Sequence, residues 1–441
     1  MKKVSLLSLG CPKNLVDSEI ILALLGESNY IITDSIEDSD VVILNTCAFI
    51  KDAVDESLDY IRMINSYKRK NKNLKFIVAG CLVQRFGKDI LEYGDIDGIV
   101  GTGDPERVKD VVEKVLKGEK KIEVGEKPFT NLKNFPRLIL TYPYAYLKIS
   151  EGCNNFCNYC LIPYLRGNLR SRKIKDIVEE AKGMEKLGIK EIILIAQDTL
   201  SYGKDLKDGT NLVNLLKELL KMDFPWIRIM YSHPAHLDEE LLDIIGKEEK
   251  ICNYLDIPLQ HIHPDILKKM GRPVCDYYGL IEKIREKIPD VSIRTTFIVG
   301  FPGEDESHFN CLLDFVKSVK FDKIGVFKYS REKGTVSYNL GDPVAEEVKE
   351  ERKNLLMEIQ RQISKNKLKE KVGKRLEVIV EREEKNFMVG RTRYDAPEVD
   401  GQVYIRGKKL KVGEIYNLQI TGSSDYDLFV DLSYFLKNRS I

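Results

Sequence analysis

Three cysteines stand close together near the middle of the chain, at Cys153, Cys157 and Cys160. They follow the apolar run YAYLKIS, so one short loop after a strand can bring all three thiolates to an iron–sulfur cluster. A [4Fe–4S] cluster has one more iron than this loop has thiolates, which leaves an iron open for chemistry. A zinc site that borrows a distant fourth ligand is the alternative, but zinc ligands usually come as paired Cys-x-x-Cys units. The spacing therefore favours the cluster.

A second set of cysteines is dispersed along the first part of the chain. Cys11, Cys47 and Cys81 each follow directly after a predicted strand, namely VSLLSLG, VVILNT and KFIVAG. In an open parallel sheet the carboxyl ends of the strands line one crevice, so we expect the three thiols to converge there. Any one of them alone would be a packing residue. Three in equivalent positions predict a second three-cysteine metal site.

The other cysteines and the histidines give no such pattern. Cys252 precedes a predicted strand, and Cys275 and Cys311 lie at or within helical patterns, so we interpret all three as structural thiols. His261 and His263 are the nearest pair of histidines, and their spacing does not match a metal site. We assign no ligand role to any histidine.

Three segments at predicted strand ends could hold a small cofactor. They are Gln197 with Asp198, Gln260 with His261, and the run that contains Gly300, Gly303 and Glu304. Glycines let a ligand approach the backbone, and carboxylates can bind an amine or ribose hydroxyls. Each segment alone could equally be a turn that begins a helix.

The elements that must position these residues fall into three regions. From Val4 to about Lys117, short apolar runs alternate with helical patterns, which predicts a parallel α/β sheet. Between 144 and 328 the same alternation recurs about six times and predicts an incomplete (βα)6 barrel, similar to a TIM barrel, with its site at the carboxyl ends of the strands. The charged segment from Glu346 to Lys371 predicts a long exposed helix. The remaining residues alternate with a period of two, which predicts a small closed carboxy-terminal β-barrel.

Length and composition set further limits. A chain of 441 residues exceeds one ordinary domain, and we place the domains at 1–135, 136–370 and 371–441. The formal net charge of +1 excludes a wholly basic surface for nucleic acid. The chain has no apolar run of membrane-spanning length, and its 9 cysteines are too sparse for a secreted disulfide scaffold. We expect a cytoplasmic protein with no membrane segment.

The loop with Cys153, Cys157 and Cys160, including the aromatic Tyr159, resembles that of the radical S-adenosylmethionine (SAM) enzymes. In those enzymes SAM chelates the open iron. With three cysteines upstream and a small barrel downstream, the whole chain resembles a methylthiotransferase with an auxiliary-cluster domain, a radical SAM domain and a TRAM domain. The resemblance is closest to the RimO branch, which modifies an aspartate of small-subunit ribosomal protein twelve. Four segments carry it: SLGCPKNLVDSE (8–19), YPYAYLKISEGC (142–153), IAQD (195–198) and APEVDG (396–401).

This resemblance implies two [4Fe–4S] clusters, one on each cysteine set, and SAM bound beside the central cluster. The SAM contacts that we expect are Tyr159, Gln197, Asp198, Gln260, Gly300, Gly303 and Glu304. A 5′-deoxyadenosyl radical would take hydrogen from the aspartate β-carbon, and the auxiliary cluster would deliver the methylthio group. No general base could replace the radical, because no side chain is basic enough to take that proton at neutral pH. An electron donor and a sulfur donor are implied as further partners.

Two other functions stay open on the sequence. A tRNA adenosine methylthiotransferase would share the architecture, although those branches typically read Gly-Cys-Gln-Met-Asn where this chain has GCPKN (10–14). A non-catalytic iron–sulfur protein could use the terminal barrel to bind RNA. Residues 371–441 carry 13 Lys and Arg against 11 Asp and Glu, and this near-neutral balance favours a protein over tRNA. We therefore expect ribosomal protein twelve or a ribosomal particle as the partner, and tRNA as less suited.

Overall fold

The structure is a computed structural model that describes residues 1–103, 105–124, 134–407 and 409–433. Its first part is a parallel sheet with the strand order β2-β1-β3-β4-β5-β6. The strands are β1 Lys3–Ser8, β2 Ile31–Ile32, β3 Val41–Thr46, β4 Lys75–Gly80, β5 Gly98–Val100 and β6 Lys121–Glu123. The helices are α1 Pro12–Glu27, α2 Lys51–Lys70, α3 Cys81–Phe86 and α4 Pro105–Leu116, with a 3₁₀ helix at Gly87–Tyr93. Strand β3 is buried along its whole length, as expected for a strand that helices cover on both faces.

The predicted α/β sheet is confirmed, and it is wider than the sequence indicated. Strands β2, β5 and β6 each contain only two or three residues. Such short strands have no detectable alternation of apolar and polar residues. The three longer strands, β1, β3 and β4, lie side by side, so the ends that precede the dispersed cysteines are neighbours.

The second part is the expected incomplete barrel of six parallel strands. They are β7 Tyr144–Lys148, β10 Glu191–Ile195, β11 Trp226–Ile229, β12 Tyr254–Asp256, β13 Ser292–Val299 and β14 Lys323–Lys328. Hydrogen bonds join them as β7-β10-β11 and β12-β13-β14, and a parallel bridge from Ile227 to Ile251 links the two groups. The short strands β8 Ser150–Glu151 and β9 Arg170–Ser171 form a separate pair beside the cysteine loop.

Helices cover the outside of this half barrel. They are α5 Ile162–Arg166, α6 Ile174–Lys186, α7 Leu212–Leu219, α8 Glu239–Lys247, α9 Pro264–Met270, α10 Tyr277–Lys287, α11 Glu306–Val319 and α12 Glu346–Lys369, with 3₁₀ helices at Thr199–Ser201, Pro234–His236 and Val336–Leu340. The apolar faces of α6 to α12 share one large core with the strands, whereas Leu165 of α5 packs in a core of the first domain. None of the helices in the described ranges is long and apolar enough to cross a membrane.

The prediction that the charged helix α12 is exposed is wrong for one of its faces. Lys349, Arg352, Leu356, Gln360 and Ser364 are buried at helical spacing. The polar members of this face have internal partners, because Lys349 pairs with Asp342 at 2.6 Å and Gln360 donates to the carbonyl of Phe321 at 3.1 Å. Because these side chains are polar, the hydropathy pattern of the sequence does not show that this face of the helix is buried.

The third part is a six-stranded sheet in the order β18-β15-β16-β17-β20-β19. Its strands are β15 Arg375–Glu383, β16 Met388–Thr392, β17 Val403–Arg406, β18 Ile415–Gln419, β19 Gly422–Ser423 and β20 Leu428–Asp431. Nine buried apolar residues form its own core. The two edge strands β18 and β19 are consecutive in the chain, so the sheet closes on itself through Ile420 and Thr421.

A buried ionic contact joins the terminal sheet to the barrel. Arg391 of β16 forms ion pairs with Glu191, the first residue of β10, and with Glu381 at 2.9 Å. Glu191 also accepts a hydrogen bond from Nε of Arg228 at 2.6 Å, and both of these side chains are fully buried. Tyr254, the first residue of β12, donates to Asp400 at 2.8 Å. The terminal sheet therefore covers the amino ends of the barrel strands and leaves their carboxyl ends to the first domain.

Replacing Arg391 with Met should lower the free energy of unfolding by about 3–5 kcal/mol, because Glu381 loses its cation and the fully buried Glu191 keeps only its bond from Arg228. The measurement is urea unfolding followed by circular dichroism. Arg382→Met is the matched control, since Arg382 lies in the same sheet and pairs with Glu384, where both side chains are largely exposed; such pairs contribute little. Equal unfolding midpoints for the two variants would contradict the role given to Arg391.

Candidate functional site

The central cysteine loop begins where β8 ends. Gly152 has a φ of 80°, and a Cβ there would lie 2.1 Å from the carbonyl oxygen of Asn168, so only glycine fits this close crossing. The backbone N–H of Cys153 donates to Gly167 at 3.1 Å, and that of Cys160 donates to the carbonyl of Cys157 at 2.9 Å. These bonds fold the loop so that its three sulfurs face one region.

The loop also donates hydrogen bonds to its own sulfurs. The N–H of Asn155 lies 3.4 Å from Sγ of Cys153, and that of Ile162 lies 3.4 Å from Sγ of Cys160. Nη1 of Arg272 lies 3.7 Å from Sγ of Cys157. Hydrogen bonds to sulfur are one of the features that tune iron–sulfur clusters. Burial raises the pKa of Cys153 to about 11 and that of Cys160 to about 12, so these thiols release protons when they bind a metal.

The structure brings the three dispersed cysteines together at one edge of the first sheet. Cys11 is the N-cap of α1, Cys47 follows β3, and Cys81 is the first residue of α3. A Cβ on Gly10 would lie 2.9 Å from Sγ of Cys47, so glycine permits the first two loops to meet. Burial raises the pKa of Cys81 to about 12; Arg166 opposes this rise, and the nearby Cys47 and Cys11 add to it.

Neither cysteine set is arranged for a single metal ion. In the part of the chain that the structure describes, the one group of three His, Cys, Asp or Glu ligand atoms within 4.8 Å of one another is His263, Asp265 and His308. Zinc holds sulfur at about 2.3 Å, which brings its thiolates to roughly 3.8 Å from one another. The wider spacing of both sets fits a polynuclear cluster better than zinc.

Arg166 connects the two cysteine sets. It lies six residues after Cys160, at the end of α5, and its Nη2 lies 3.7 Å from Sγ of Cys81. The same nitrogen donates to the side-chain carbonyl of Asn14, three residues after Cys11. One side chain on the central loop therefore contacts the loops of the first domain directly.

A network of buried charges surrounds this guanidinium. Arg166 pairs with Asp17 at 2.7 Å and with Glu151 at 3.4 Å. Lys148 pairs with the same two carboxylates at 2.5 Å and 2.9 Å. Glu151 also accepts from Nε2 of Gln197, so the network runs from α1 across the carboxyl ends of β7 and β10.

The first pair of predicted SAM contacts lies beside the central loop. Oδ2 of Asp198 accepts from Asn155 at 2.8 Å and from Ser201 at 2.6 Å, and it lies 2.7 Å from Nδ1 of His236. Burial opposes the charged form, but these hydrogen bonds outweigh it and hold the pKa of Asp198 well below its usual range. Asp198 is thus an anchor for the loop. The side-chain oxygen of Gln197 is buried and has no hydrogen-bond partner among the described residues, so it can still accept from a bound molecule.

The other predicted contacts lie on the far side of the barrel opening. Gln260 follows β12 with a φ of 72°, a strained conformation that is common at functional sites. A Cβ on Gly300 would lie 2.3 Å from Cγ of Lys349, and one on Gly303 would lie 2.0 Å from Nζ of Lys269. Gly300 therefore leaves room for the buried stem of Lys349, and the φ of 93° at Gly303 favours glycine there whatever Lys269 does.

Glu304 and Tyr159 are engaged with the protein. Glu304 accepts from the N–H of Gly300 at 2.9 Å and from Arg352 at 2.7 Å, and its side chain is fully buried. Tyr159 packs against an apolar cluster that contains Met270 and Phe301. The structure thus gives both residues roles in supporting the site.

Three family models match consecutive parts of the chain. They are an uncharacterized protein family, UPF0004, over residues 3–101, the Radical SAM superfamily over 147–316, and the TRAM domain over 372–432. The ribosomal protein uS12 methylthiotransferase RimO of Thermoanaerobacter sp. (strain X514) is 47% identical over 97% of this chain and 99% of its own length. The protein of the same name from Clostridioides difficile (strain 630) is 45% identical over 98% and 99%.

This chain belongs to the RimO family of methylthiotransferases. Among solved structures, it is similar to the radical SAM methyltransferase TsrM from Kitasatospora setae, with cobalamin and a [4Fe–4S] cluster bound, at 14% identity and a TM-score of 0.56 over 74% of this chain and 75% of that one. The cobalamin-dependent enzyme OxsB matches with a TM-score of 0.51 and 14% identity over 77% of this chain and 55% of its own. These likenesses show the fold alone. Membership in the radical SAM superfamily implies SAM and a [4Fe–4S] cluster as cofactors.

Sequence reasoning missed the basic residues of the RimO-type site. Arg166 and Arg272 each contact a cysteine sulfur, yet neither has a spacing that sets it apart from the many other arginines. His236, which binds Asp198, was also missed. The one available signal was the run Ser150–Glu151 before Cys153, because an acidic residue inside an apolar strand indicates a buried partner.

Replacing Arg166 with Gln should reduce the iron bound by the dispersed cysteines, because two buried carboxylates lose a cation and the contact to Cys81 disappears. We expect roughly half of the wild-type iron per chain after anaerobic reconstitution, measured by colorimetric iron analysis. Arg170→Gln is the control, since the hydrogen bonds of Arg170 go only to backbone carbonyls. Wild-type iron content in Arg166→Gln would show that the contact does not support the site.

Proposed function

We propose that this protein is a radical SAM methylthiotransferase that adds a methylthio group to the β-carbon of an aspartate in ribosomal protein uS12. The observation that carries the proposal is the joining of two separate three-cysteine sets through Arg166. One set would hold the cluster that binds SAM, and the other would hold the cluster that supplies sulfur. A radical SAM enzyme that only abstracts hydrogen has no need for the second set.

We propose that the protein holds two [4Fe–4S] clusters. Each cysteine set has its own guanidinium at a sulfur, Arg272 at Cys157 and Arg166 at Cys81. Positive groups beside thiolates offset the negative charge that a cluster with cysteine ligands carries. The paired arrangement supports one [4Fe–4S] cluster at Cys153, Cys157 and Cys160, and another at Cys11, Cys47 and Cys81.

The bound clusters and SAM would supply the 5′-deoxyadenosyl radical and the sulfur, and the protein would position the reactants. Asp198 holds Asn155, and with it the central loop, against β10. The unpartnered oxygens of Gln197 and Ser232 lie at the ends of adjacent strands and can accept hydrogen bonds from SAM. Tyr159, Gln260, Gly300, Gly303 and Glu304 would complete the SAM pocket, chiefly by fixing its walls.

The proposed limits of the three domains stay at 1–135, 136–370 and 371–441. Helix α12 ends at Lys369, and β15 begins at Arg375, which supports the last boundary. The enzyme also needs a one-electron donor and a sulfur donor as partners. The nearly balanced charge of residues 371–441 supports a protein substrate for the terminal domain rather than tRNA.

Mutations in the two cysteine sets should have different effects on SAM cleavage and on methylthio transfer. Cys157→Ala should abolish reductive cleavage of SAM, because the open iron is lost. Cys47→Ala should keep cleavage and lose methylthio transfer, because only the sulfur-carrying cluster is removed. Both are read as 5′-deoxyadenosine and modified substrate by mass spectrometry, with Cys311→Ala as the control at a cysteine outside both sets. SAM cleavage by Cys157→Ala would refute the radical assignment, and methylthio transfer by Cys47→Ala would remove the second cluster from the reaction.

The substrate is tested by offering uS12 and tRNA in parallel. The reconstituted protein is incubated anaerobically with SAM, sulfide and reductant, and both macromolecules are then examined by mass spectrometry. We expect a methylthio group on one aspartate of uS12 and none on tRNA. Modified adenosine with unmodified uS12 would reverse the substrate assignment. Binding of RNA without SAM cleavage would instead support the non-catalytic alternative.

A further inference from the structure

A buried lysine that forms no ion pair within the described ranges lies beside the dispersed cysteine set. Lys13 is the second residue of α1 and only 8% exposed, and its ammonium lies 3.2 Å from the centre of the Tyr231 ring. In the described ranges, no carboxylate oxygen and no thiol lies within ion-pair or hydrogen-bond distance of this ammonium. A contact with an aromatic ring is weaker than the hydration that a buried ammonium gives up. The ammonium of Lys13 can therefore still take an anion as a direct partner.

The surroundings of Lys13 favour an anion further. The first turn of α1 contains no acidic residue, and the amino end of a helix attracts negative charge. The guanidinium of Arg166 is already paired with Asp17 and Glu151. Arg166 and Arg272 each contact a cysteine sulfur, whereas Lys13 makes no such contact in the described ranges, and Cys11, Asp256 and Glu151 act on its ammonium from a longer range.

The position of Lys13 is set by both domains. It follows Cys11 by two residues, and Tyr231 lies directly beyond the carboxyl end of β11. Tyr231 has a φ of 63° and donates its backbone N–H to Asp256 at 3.2 Å. This strained conformation is one that persists where surrounding contacts impose it. Cys11 and Tyr231 are both partly exposed, so a substrate can reach the space beside the ammonium.

We propose that Lys13 binds the side-chain carboxylate of the aspartate that is modified, while the ring of Tyr231 holds the ammonium in place. This inference rests on the proposed function. The carboxylate of an aspartate is bonded to the β-carbon that reacts, so a cation that fixes the carboxylate also fixes that carbon beside the Cys11 set. Lys13 is thus a positioning and specificity residue that distinguishes aspartate from a neutral side chain.

The test is a double-mutant cycle between Lys13 and the substrate aspartate, with binding affinity as the measured quantity. Full-length reconstituted protein with SAM and no reductant is titrated with purified uS12 and with a uS12 variant whose modified aspartate is Asn. Lys13→Met, which keeps the length of the side chain, should bind uS12 roughly 10- to 100-fold more weakly, the range for a charged hydrogen bond. The Asn variant of uS12 should bind the wild-type enzyme more weakly than uS12 does, by a similar factor. With Lys13→Met, the change from Asp to Asn should weaken binding little further. Lys13→Arg should restore part of the affinity.

Lys117→Met is the control, because Lys117 is exposed after α4 and far from both cysteine sets in the chain. Equal affinity of wild type and Lys13→Met for uS12 would overturn the inference, and so would an equal loss for the Asp and Asn substrates. Iron content and the electron paramagnetic resonance spectrum should be unchanged in Lys13→Met; a changed spectrum with unchanged affinity would assign the lysine to the cluster. If the wild-type enzyme cleaves SAM and neither binds nor modifies uS12, the proposed function fails instead.

Discussion

The arrangement of the site depends on the contacts that the guanidinium of Arg166 makes with the first domain. It belongs to the central cysteine loop by sequence and to the first domain by its contacts, since it binds Asn14, Asp17 and Sγ of Cys81. Arginine suits this role, because its planar fork can donate to several acceptors at once and stays charged when buried. Without it, the first domain would lose its direct contact with the segment that follows the central cysteines, and Lys148 would still pair with Asp17. The distance between the two sets of cysteines would then be less well defined.

The two ends of the barrel have different roles: the amino ends of its strands bind the terminal sheet, and the carboxyl ends carry the candidate site. At the amino ends of the strands, the terminal sheet closes the barrel through Arg391 and Glu191. At the carboxyl ends, α1 of the first domain lies against the barrel through Asp17, which pairs with Lys148 and Arg166. Both interfaces are ionic and buried, and removal of one partner from such a pair costs far more than loss of a surface pair. The site therefore lies on rigid elements from two domains, which is what precise placement of reactants requires.

Much of this organisation could be predicted from the sequence. The spacing of Cys153, Cys157 and Cys160 indicates a cluster loop, and the position of Cys11, Cys47 and Cys81 after three strands indicates convergence, because parallel strands end at a common edge. The buried face of α12 could not be predicted, since four of its five members are polar. Arg166, Arg272 and Lys13 were equally hidden. Their importance comes from tertiary contacts between distant residues, and a single sequence carries no periodicity that reports such contacts.

The same limit applies to the SAM contacts. Gln197 and Asp198 were identified from their place after a strand, yet Asp198 is occupied by Asn155, Ser201 and His236. The place of these residues at the end of a strand could be predicted from the sequence, but the hydrogen-bond partners of their side chains could not. A role inferred from a strand end therefore needs the hydrogen-bond partners before it can be assigned.

We propose that two clusters face each other across Arg166. Anomalous diffraction at the iron absorption edge from crystals of the reconstituted protein tests this arrangement most directly. We expect two separate groups of iron atoms, one enclosed by Cys11, Cys47 and Cys81 and the other by Cys153, Cys157 and Cys160, with the Arg166 side chain between them. Iron at only one set, or zinc at either, would contradict it.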